Sequence, residues 1–388
     1  MRTKIKMLST STPDKKLLVA VFMLVIFGVV MVYDATAVFS HGAFGEAYRF
    51  TFLQIVWAVL GTIGFIYFYK IDYTQVKKPA YFLFLFSLIL LFILAVVGIF
   101  PCSNKTFFTP CLNGANRWFY LNPDPLPRIP LIGVLGFQPA ELAKFSLILY
   151  LAVHLDKVLK HKKKEAFWLY FVPTALFSFL ILLQPNMSTS AIIFVIGSSI
   201  YFSSGAEIKK LILIVPVIAV LGVTLMLLSP YRRERLLSYI NKSGDRAVEE
   251  SYHSKQISIA LGSGGLMGVG LGQSRQKFQY LPETSADSIF AIVGEEMGFA
   301  GSLLVIAAFT FLLYRGYETA KNAKDNLGRM LAVGVTTWFG IQFFVNVAAM
   351  ARIIPLTGVP IPLISYGGSS MLFGMMGLGI LANVSKKS

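Results

Sequence analysis

Long apolar runs separated by short polar stretches dominate this chain of 388 residues. An α-helix needs roughly 17–25 apolar residues to cross a hydrocarbon core of ~30 Å. Nine runs have about that length, and a tenth, at 189–203, is shorter. The pattern therefore predicts an all-α polytopic membrane protein with about ten transmembrane helices. The predicted spans lie at 17–38, 50–69, 80–100, 134–155, 166–183, 189–203, 211–229, 289–314, 330–350 and 367–384.

The composition favours the same class of protein. Hydrophobic residues make up 55% of the chain and charged residues 14%, whereas a soluble domain carries about 25% charged residues. A chain with so few charges cannot cover its own surface in water. Its two cysteines exclude a disulfide-rich scaffold and a cysteine-based structural zinc site.

The distribution of Lys and Arg predicts the topology. Short segments on the N-terminal side of the spans hold 21 of these residues, and short segments on the opposite side hold five. Because basic residues accumulate in cytoplasmic loops, both termini are predicted to be cytoplasmic, and this bias accounts for the net charge of +16 without nucleic acid. We expect cytoplasmic tails at 1–16 and 385–388 and one transmembrane domain at 17–384, with a large external loop at 229–288.

The external loop contains a glycine-rich segment, with six Gly in the eleven positions 262–272. The dinucleotide fingerprint G-x-G-x-x-G fails there because Met267 occupies the place of its third glycine. Glycine lets the backbone approach a ligand or another chain segment closely. We favour tight packing of a re-entrant segment over direct contact with a ligand.

Charged residues lie within or beside the predicted spans. Asp287 lies two residues before the start of the span at 289–314, where position alone favours a helix cap over a chemical role. Glu141 and Lys144 are spaced i, i+3 and therefore share one face of a helix. A charge inside a membrane costs at least ~2.5 kcal/mol on insertion scales. This pair therefore indicates either a functional cavity or a self-neutralised structural pair.

Two further segments are predicted to be external. Prolines at 355, 360 and 362 lead into Ile364–Ser370, which predicts a broken re-entrant loop that is buried in protein or lines a cavity. Cys102 and Cys111 fall in one loop, where a disulfide and two free thiols are both compatible with the sequence.

Five of these stretches, in this order, resemble the SEDS family, the FtsW and RodA peptidoglycan polymerases: Gly114–Trp118, Gln138–Lys144, Gln184–Thr189, Tyr280–Gly298 and Pro362–Ser370. The resemblance covers essentially the whole chain and is closer to FtsW than to RodA. It implies a glycosyltransferase that joins lipid II disaccharide units into glycan strands at the outer face of the cytoplasmic membrane during cell division. The leaving group would be undecaprenyl pyrophosphate.

The resemblance also implies roles for particular residues. Asp287 matches the essential loop aspartate of the family, and Glu141 and Lys144 match its pair in the fourth span, so these three are predicted to be catalytic. Asp287 would act as a base toward a sugar hydroxyl or would hold a divalent cation, Mg²⁺ or Mn²⁺, against the pyrophosphate. The residues predicted to bind substrate are Arg117, Gln138, Lys277, Glu283 and Ser369.

The chain departs from the family at two places. Asn186 stands where Asp is usual, and Ser285-Ala286 stand where His-Thr usually precede the essential aspartate. The expected partners are lipid II, the undecaprenyl-linked glycan strand, a class B penicillin-binding transpeptidase, other divisome proteins and membrane lipid. The alternatives are a lipid II flippase, a RodA-like polymerase for cell elongation and a non-catalytic scaffold. Polar positions concentrated at the outer face favour the polymerase.

Overall fold

The structure of the protein, a computed structural model, describes most of the chain. The residues that it describes are 13–99, 108–112, 114–122, 135–159, 165–207, 209–214, 216, 224, 245–278 and 284–386, with the backbone alone at 245–251.

The described part of the chain is a bundle of ten α-helices with four two-residue strands and one short 3-10 turn at Tyr73–Val76. Seven helices are long and apolar enough to cross a membrane, namely α1, α2, α3, α5, α8, α9 and α10. The helices are α1 (Lys15–Phe44), α2 (Arg49–Lys70), α3 (Lys77–Val97), α4 (Pro139–Leu159), α5 (Ala166–Leu183), α6 (Met187–Ser203), α7 (Asp245–Ser263), α8 (Ile289–Asn322), α9 (Asn326–Met350) and α10 (Gly368–Ser385).

The predicted fold class is confirmed, and nine of the ten predicted spans coincide with described helices. The span at 211–229 lies mostly outside the described residues, which include a helical stretch at 209–214. Within the predicted external loop the structure has a helix, α7. The sequence did not predict it as a span because its first two turns are mostly polar.

Both described ends of the chain meet at one end of the bundle. The backbone N–H of Asp14 donates to Ser385 Oγ at 3.3 Å, and the Asp14 carboxylate forms an ion pair with Arg315 at 2.6 Å. The same carboxylate caps α1 by accepting from two backbone N–H groups. We call this end the terminal end and the opposite end the distal end. Because Asp14 and Ser385 lie on one side, the chain between them crosses the bundle an even number of times.

The core lies around α10, which packs closely against α2 and also contacts α4 and α9. Small residues make this approach possible, since a Cβ on Gly379 would lie 2.5 Å from Phe65 O. The outward faces of α1 to α3 instead present large apolar side chains such as Met23 and Phe82, each about two-thirds exposed at 65% and 66%. Such an apolar surface suits lipid rather than water.

The glycine-rich segment packs against a break in α8. The helix is interrupted at Gly298, where φ is 66° and ψ is −162°. The backbone N–H of Gly270 donates to Glu296 O at 3.0 Å, and a Cβ on Gly268 would lie 2.0 Å from that same oxygen. The packing interpretation of the segment at 262–272 is thus confirmed.

Two antiparallel strand pairs lie in the distal loop before α4. Cys111–Leu112 pairs with Ala115–Asn116, and Phe119–Tyr120 pairs with Gly136–Phe137. Cys111 is not a free thiol. Its expected partner, Cys102, lies outside the described residues, so the bridge between them stays a prediction.

Candidate functional site

A cavity of about 550 Å³ lies among the distal ends of α4, α6 and α9 and the loop that precedes α10. Its wall brings together five of the eight residues predicted to form the site, although they are far apart in sequence. These five are Arg117, Gln138, Glu141, Lys144 and Asp287. Residues that belong to separate motifs in the sequence thus lie together at one place in the fold.

Glu141 and Lys144 form a buried ion pair in the first turns of α4. Lys144 Nζ donates to Glu141 Oε1 at 2.7 Å and to Gln342 Oε1 at 2.8 Å, so it links α4 to α9. Its ammonium also lies 5.0 Å from the ring centre of Trp338, whose indole N–H donates to the same Gln342 oxygen at 2.9 Å. The cation is therefore held by two helices.

The second oxygen of the Glu141 carboxylate, Oε2, is buried and has no hydrogen-bond partner in the described part of the chain. A buried polar atom without a partner costs roughly 1–3 kcal/mol. Because Glu141 lines the cavity, this oxygen is placed to accept a hydrogen bond from a molecule bound there. The pair therefore belongs to the cavity wall.

Asp287 lies at the cavity wall one residue before the N-cap of α8, which is Ser288. The cap position predicted for Asp287 therefore belongs to its neighbour. Its backbone is held firmly, because the Asn346 side-chain amide donates to the carbonyl oxygens of both Asp287 and Val359 at 2.7 Å. The carboxylate is mostly buried, and its Oδ1 lies 3.4 Å from Ser288 Oγ.

The loop between α9 and α10 forms another part of the wall. The predicted segment Ile364–Ser370 is non-helical as far as Gly367, and α10 begins at the next residue. The part of the loop after Gly358 is mostly buried in protein. This part is joined to the Asp287 loop, because the backbone N–H of Tyr366 donates to Ser285 O at 2.8 Å. Burial raises the pKa of the Tyr366 phenol to about 12, so the phenol stays protonated.

Arg117 and Asn186 complete the wall on the side of α6. The Arg117 guanidinium donates to Gln184 O at 3.1 Å and to Pro185 O at 2.6 Å, which fixes its position. Asn186 caps α6 by accepting from the backbone N–H of Thr189 at 3.2 Å. Asn and Asp cap helices about equally well, so the cap tolerates the departure from the family at this position.

Three predicted substrate-binding residues are not on the cavity wall. Ser369 lies behind it and accepts from the backbone N–H of Gln138 at 3.0 Å, so it supports the wall rather than facing it. Glu283 lies outside the described residues. Lys277 lies elsewhere, in a second buried cluster of charges.

The Lys277 ammonium is 2.9 Å from Asp34 Oδ1 and 3.1 Å from Glu296 Oε1. Burial lowers the pKa of Lys277, but hydrogen bonds to these two carboxylates outweigh burial and hold the pKa above its usual value. The backbone N–H of Ser274 donates to Glu296 Oε1 as well, at 3.0 Å. This cluster therefore fastens the segment after α7 to α1 and α8, and its geometry gives Lys277 a structural role.

Replacement of Lys277 by Met should destabilise the protein. The variant leaves the Asp34 and Glu296 carboxylates buried without their cation, which typically costs about 3–5 kcal/mol. We expect a clearly lower unfolding temperature for purified K277M in detergent. K324M, which removes an exposed lysine near the terminal end, should unfold like the wild type. If both variants unfolded at the wild-type temperature, the cluster would have no structural role.

Sequence reasoning missed several polar residues around the cavity. Gln342 and Asn346 lie inside an apolar span, and their rarity in such a setting is the signal that could have found them. His253 and Ser288 gave no signal, because one lies in a helix that was predicted as loop and the other beside a helix start. Among the described residues, no group of three or more His, Cys, Asp or Glu side chains is arranged to hold a metal ion.

A family model described as "Cell cycle protein", covering FtsW, RodA and SpoVE, matches residues 15–388. The chain belongs to this family. It is 34% identical to the stage V sporulation protein E of Bacillus subtilis, over 97% of this chain and 98% of that protein. It is also 34% identical to a probable peptidoglycan glycosyltransferase FtsW of Geobacter metallireducens, over 96% of this chain and 95% of that protein.

Solved structures of other proteins have a similar fold. One chain of a solved peptidoglycan synthase complex, described for its structural coordination of polymerization and crosslinking, superposes with a TM-score of 0.74. The two chains are 25% identical, and the match covers 96% of this chain and 98% of the other. Family membership and seven apolar helices together identify a multi-pass membrane protein.

Proposed function

We propose that this chain is a peptidoglycan polymerase of the SEDS type. It joins lipid II disaccharide units into glycan strands at the outer face of the cytoplasmic membrane during cell division and releases undecaprenyl pyrophosphate. The observation that carries this proposal is the distal cavity, where one carboxylate, Asp287, shares a wall with the Glu141–Lys144 pair and Arg117. Similarity to proteins named FtsW supports a role in cell division rather than in cell elongation.

The residue types suit the chemistry. A sugar 4-hydroxyl oxygen forms a bond to the anomeric carbon of a second lipid-linked disaccharide, while the bond from that carbon to pyrophosphate breaks. The hydroxyl proton passes to the Asp287 carboxylate, which acts as the general base. The bonding electrons leave with the pyrophosphate, whose growing negative charge needs a cation nearby.

Lys144 and Arg117 are the cations that we assign to the leaving pyrophosphate. The Lys144 ammonium has three N–H donors, and its contacts with Glu141 and Gln342 use two of them. Arg117 is fixed by backbone carbonyls and offers a planar set of donors suited to phosphate oxygens. Both groups stay in place before substrate arrives, so little reorganisation is needed during the reaction.

A divalent cation on Asp287 remains a proposal. The described residues around Asp287 supply no further set of carboxylates for such an ion. Mg²⁺ is often held by one or two carboxylates together with substrate phosphates and water. An ion at this site would therefore take most of its ligands from the pyrophosphate and from water.

The interior of α4 supports a polymerase over a lipid II flippase. A translocation path needs polar groups along the whole depth of the bundle. From Phe145 to Ala152, however, α4 buries mainly apolar side chains on the terminal side of the Glu141–Lys144 pair. Along this stretch of α4, the polar side chains at the cavity therefore give way to apolar ones.

The partner and the orientation are parts of the same proposal. Because a chain of similar fold belongs to a peptidoglycan synthase complex, we propose that this chain works with a class B penicillin-binding transpeptidase and other divisome proteins. Both termini would lie in the cytoplasm, with the cavity facing outward.

The proposed orientation of the chain in the membrane predicts on which side fused reporters lie. A reporter fused after Lys324, between α8 and α9, should lie in the cytoplasm. A reporter fused after Asp245, at the start of α7, should lie outside the cytoplasm. The physical reason is the excess of basic residues on the terminal side. Fusions to an alkaline phosphatase and a fluorescent protein measure this directly. Phosphatase activity at Lys324 would overturn the orientation.

The decisive experiment incubates purified protein with labelled lipid II, with and without a class B transpeptidase. Glycan strands resolved on a gel are the expected product in at least one condition. A second arm places the protein in vesicles and follows the transfer of lipid II between leaflets. Transfer of lipid II without formation of glycan strands would reject the polymerase function in favour of the flippase function.

A further inference from the structure

His253 is the one histidine that the described residues place at the cavity wall, where it faces the site from α7. Its Nε2 lies 2.8 Å from Ser288 Oγ. The Ser288 side chain is completely buried, and its Oγ lies 3.4 Å from Asp287 Oδ1. An imidazole, a hydroxyl and a carboxylate thus form a row that ends on the proposed base.

The row can deliver a hydrogen bond to Asp287 in one direction only. An ionised carboxylate can only accept hydrogen bonds, and a hydroxyl has a single hydrogen to donate. If Ser288 donates that hydrogen to Asp287 Oδ1, its oxygen must accept from His253, and His253 Nε2 must carry a proton. The 3.4 Å contact is long for O–H···O. Catalytic hydrogen bonds are often long before substrate binds and tighten in the complex.

We propose that His253 is a positioning residue that orients the Asp287 carboxylate through the Ser288 hydroxyl. This inference rests on the proposed function, in which Asp287 takes the sugar proton. Nothing in the sequence pairs residues 253 and 288, which belong to different helices separated by the glycine-rich segment.

The orientation has a definite consequence for the carboxylate. The Asn346 amide fixes the backbone of Asp287 but not the rotation of its side chain. A hydrogen bond from Ser288 holds Oδ1 on the side of α7. Oδ2 is then directed toward Gly358, where a Cβ added to the glycine would lie 3.9 Å from it, and Gly358 lines the cavity. Oδ2 is therefore the oxygen that we assign to the incoming hydroxyl.

A purely structural explanation of the contact is that His253 and Ser288 join α7 to α8. Apolar packing already makes that connection, because Ile257 and Ala260 of α7 are fully buried and the two helices pack together. Loss of one hydrogen bond should therefore change stability little. An orienting role instead predicts a loss in turnover, with substrate affinity and folding retained.

The test compares four variants of the full-length protein in the lipid II assay: H253L, H253Q, S288A and the double variant H253L/S288A. We expect H253L and S288A each to lower kcat roughly 10- to 100-fold, the range for a misplaced catalytic group. KM and the unfolding temperature should stay near those of the wild type. H253Q keeps an N–H donor close to the place of Nε2 and should retain most of the activity. The double variant should lose no more than either single variant, because both changes break one row.

The matched control is H41L, which replaces an exposed histidine near the distal end of α1 and should leave kcat unchanged. Wild-type kcat in H253L or S288A would overturn the inference. Equal losses in H253L and H253Q accompanied by a lower unfolding temperature would overturn it too, because they indicate packing. Losses that multiply in the double variant would also overturn the inference, because they would show that the two residues act independently. If the wild type itself formed no glycan strands, the proposed function would fail, and that result is distinct from each of these.

Discussion

Asp287→Asn should lower the rate of glycan-strand formation by at least about 100-fold, because general-base help is typically worth 10²–10⁴-fold. The substitution keeps the size of the side chain and removes its charge. The Asn346 contact is to the backbone of Asp287, so the loop should keep its place. The measurement is single-turnover polymerisation of labelled lipid II, with protein yield and transpeptidase binding recorded in parallel.

The matched control is Asp325→Asn. Asp325 caps α9 at the terminal end by accepting from the backbone N–H of Gly328 at 2.7 Å. Asn is as good a cap as Asp, so this variant should polymerise and fold normally. Near-wild-type turnover in the Asp287 variant would remove Asp287 from the chemistry and leave it a structural loop residue.

Lys144→Met should lower the rate of polymerisation by about 10²–10³-fold if the ammonium stabilises the departing pyrophosphate. The change also leaves the Glu141 carboxylate buried beside Gln342 without its cation, so the unfolding temperature should fall. Stability and chemistry must therefore be measured separately, by thermal unfolding and by strand formation.

The double variant Glu141→Gln/Lys144→Met separates the two effects. It removes both charges together, so the buried charge without a partner disappears and the unfolding temperature should recover. Polymerisation should stay lost, since no cation returns to the cavity. Wild-type turnover in either variant would assign the pair to structure alone.

The sequence determines the spans more completely than the site. Apolar runs predicted nine described helices because burial in lipid demands length and hydrophobicity, which can be read locally. Helix α7 was missed because its first turns are polar and its apolar half packs on α8 rather than on lipid. The cap at Asn186 could also be anticipated, since capping depends on neighbours three positions away.

The site depends on distant contacts, which composition does not reveal. Asp287, Glu141 and Lys144 stood out by position and spacing, but their catalytic roles were implied only by the resemblance to a family, and the structure gathers them. Lys277 was predicted to bind substrate from the same resemblance, yet its partner Asp34 lies 243 positions away in α1. A residue's neighbours in the fold, rather than in the chain, decide whether its charge faces a ligand or a counter-ion.

The break in α8 at Gly298 bears on how the protein is assembled in the membrane. An interrupted helix exposes backbone groups that hydrocarbon cannot satisfy. Here the backbone N–H groups of Phe299 and Ala300 donate to Gly265 O and Leu266 O, at 2.9 and 3.0 Å. The second half of α8 is therefore incomplete until the glycine-rich segment has come to lie against it. The two segments must therefore pair before this part of α8 is satisfied in hydrocarbon, although no single apolar run in the sequence unites them.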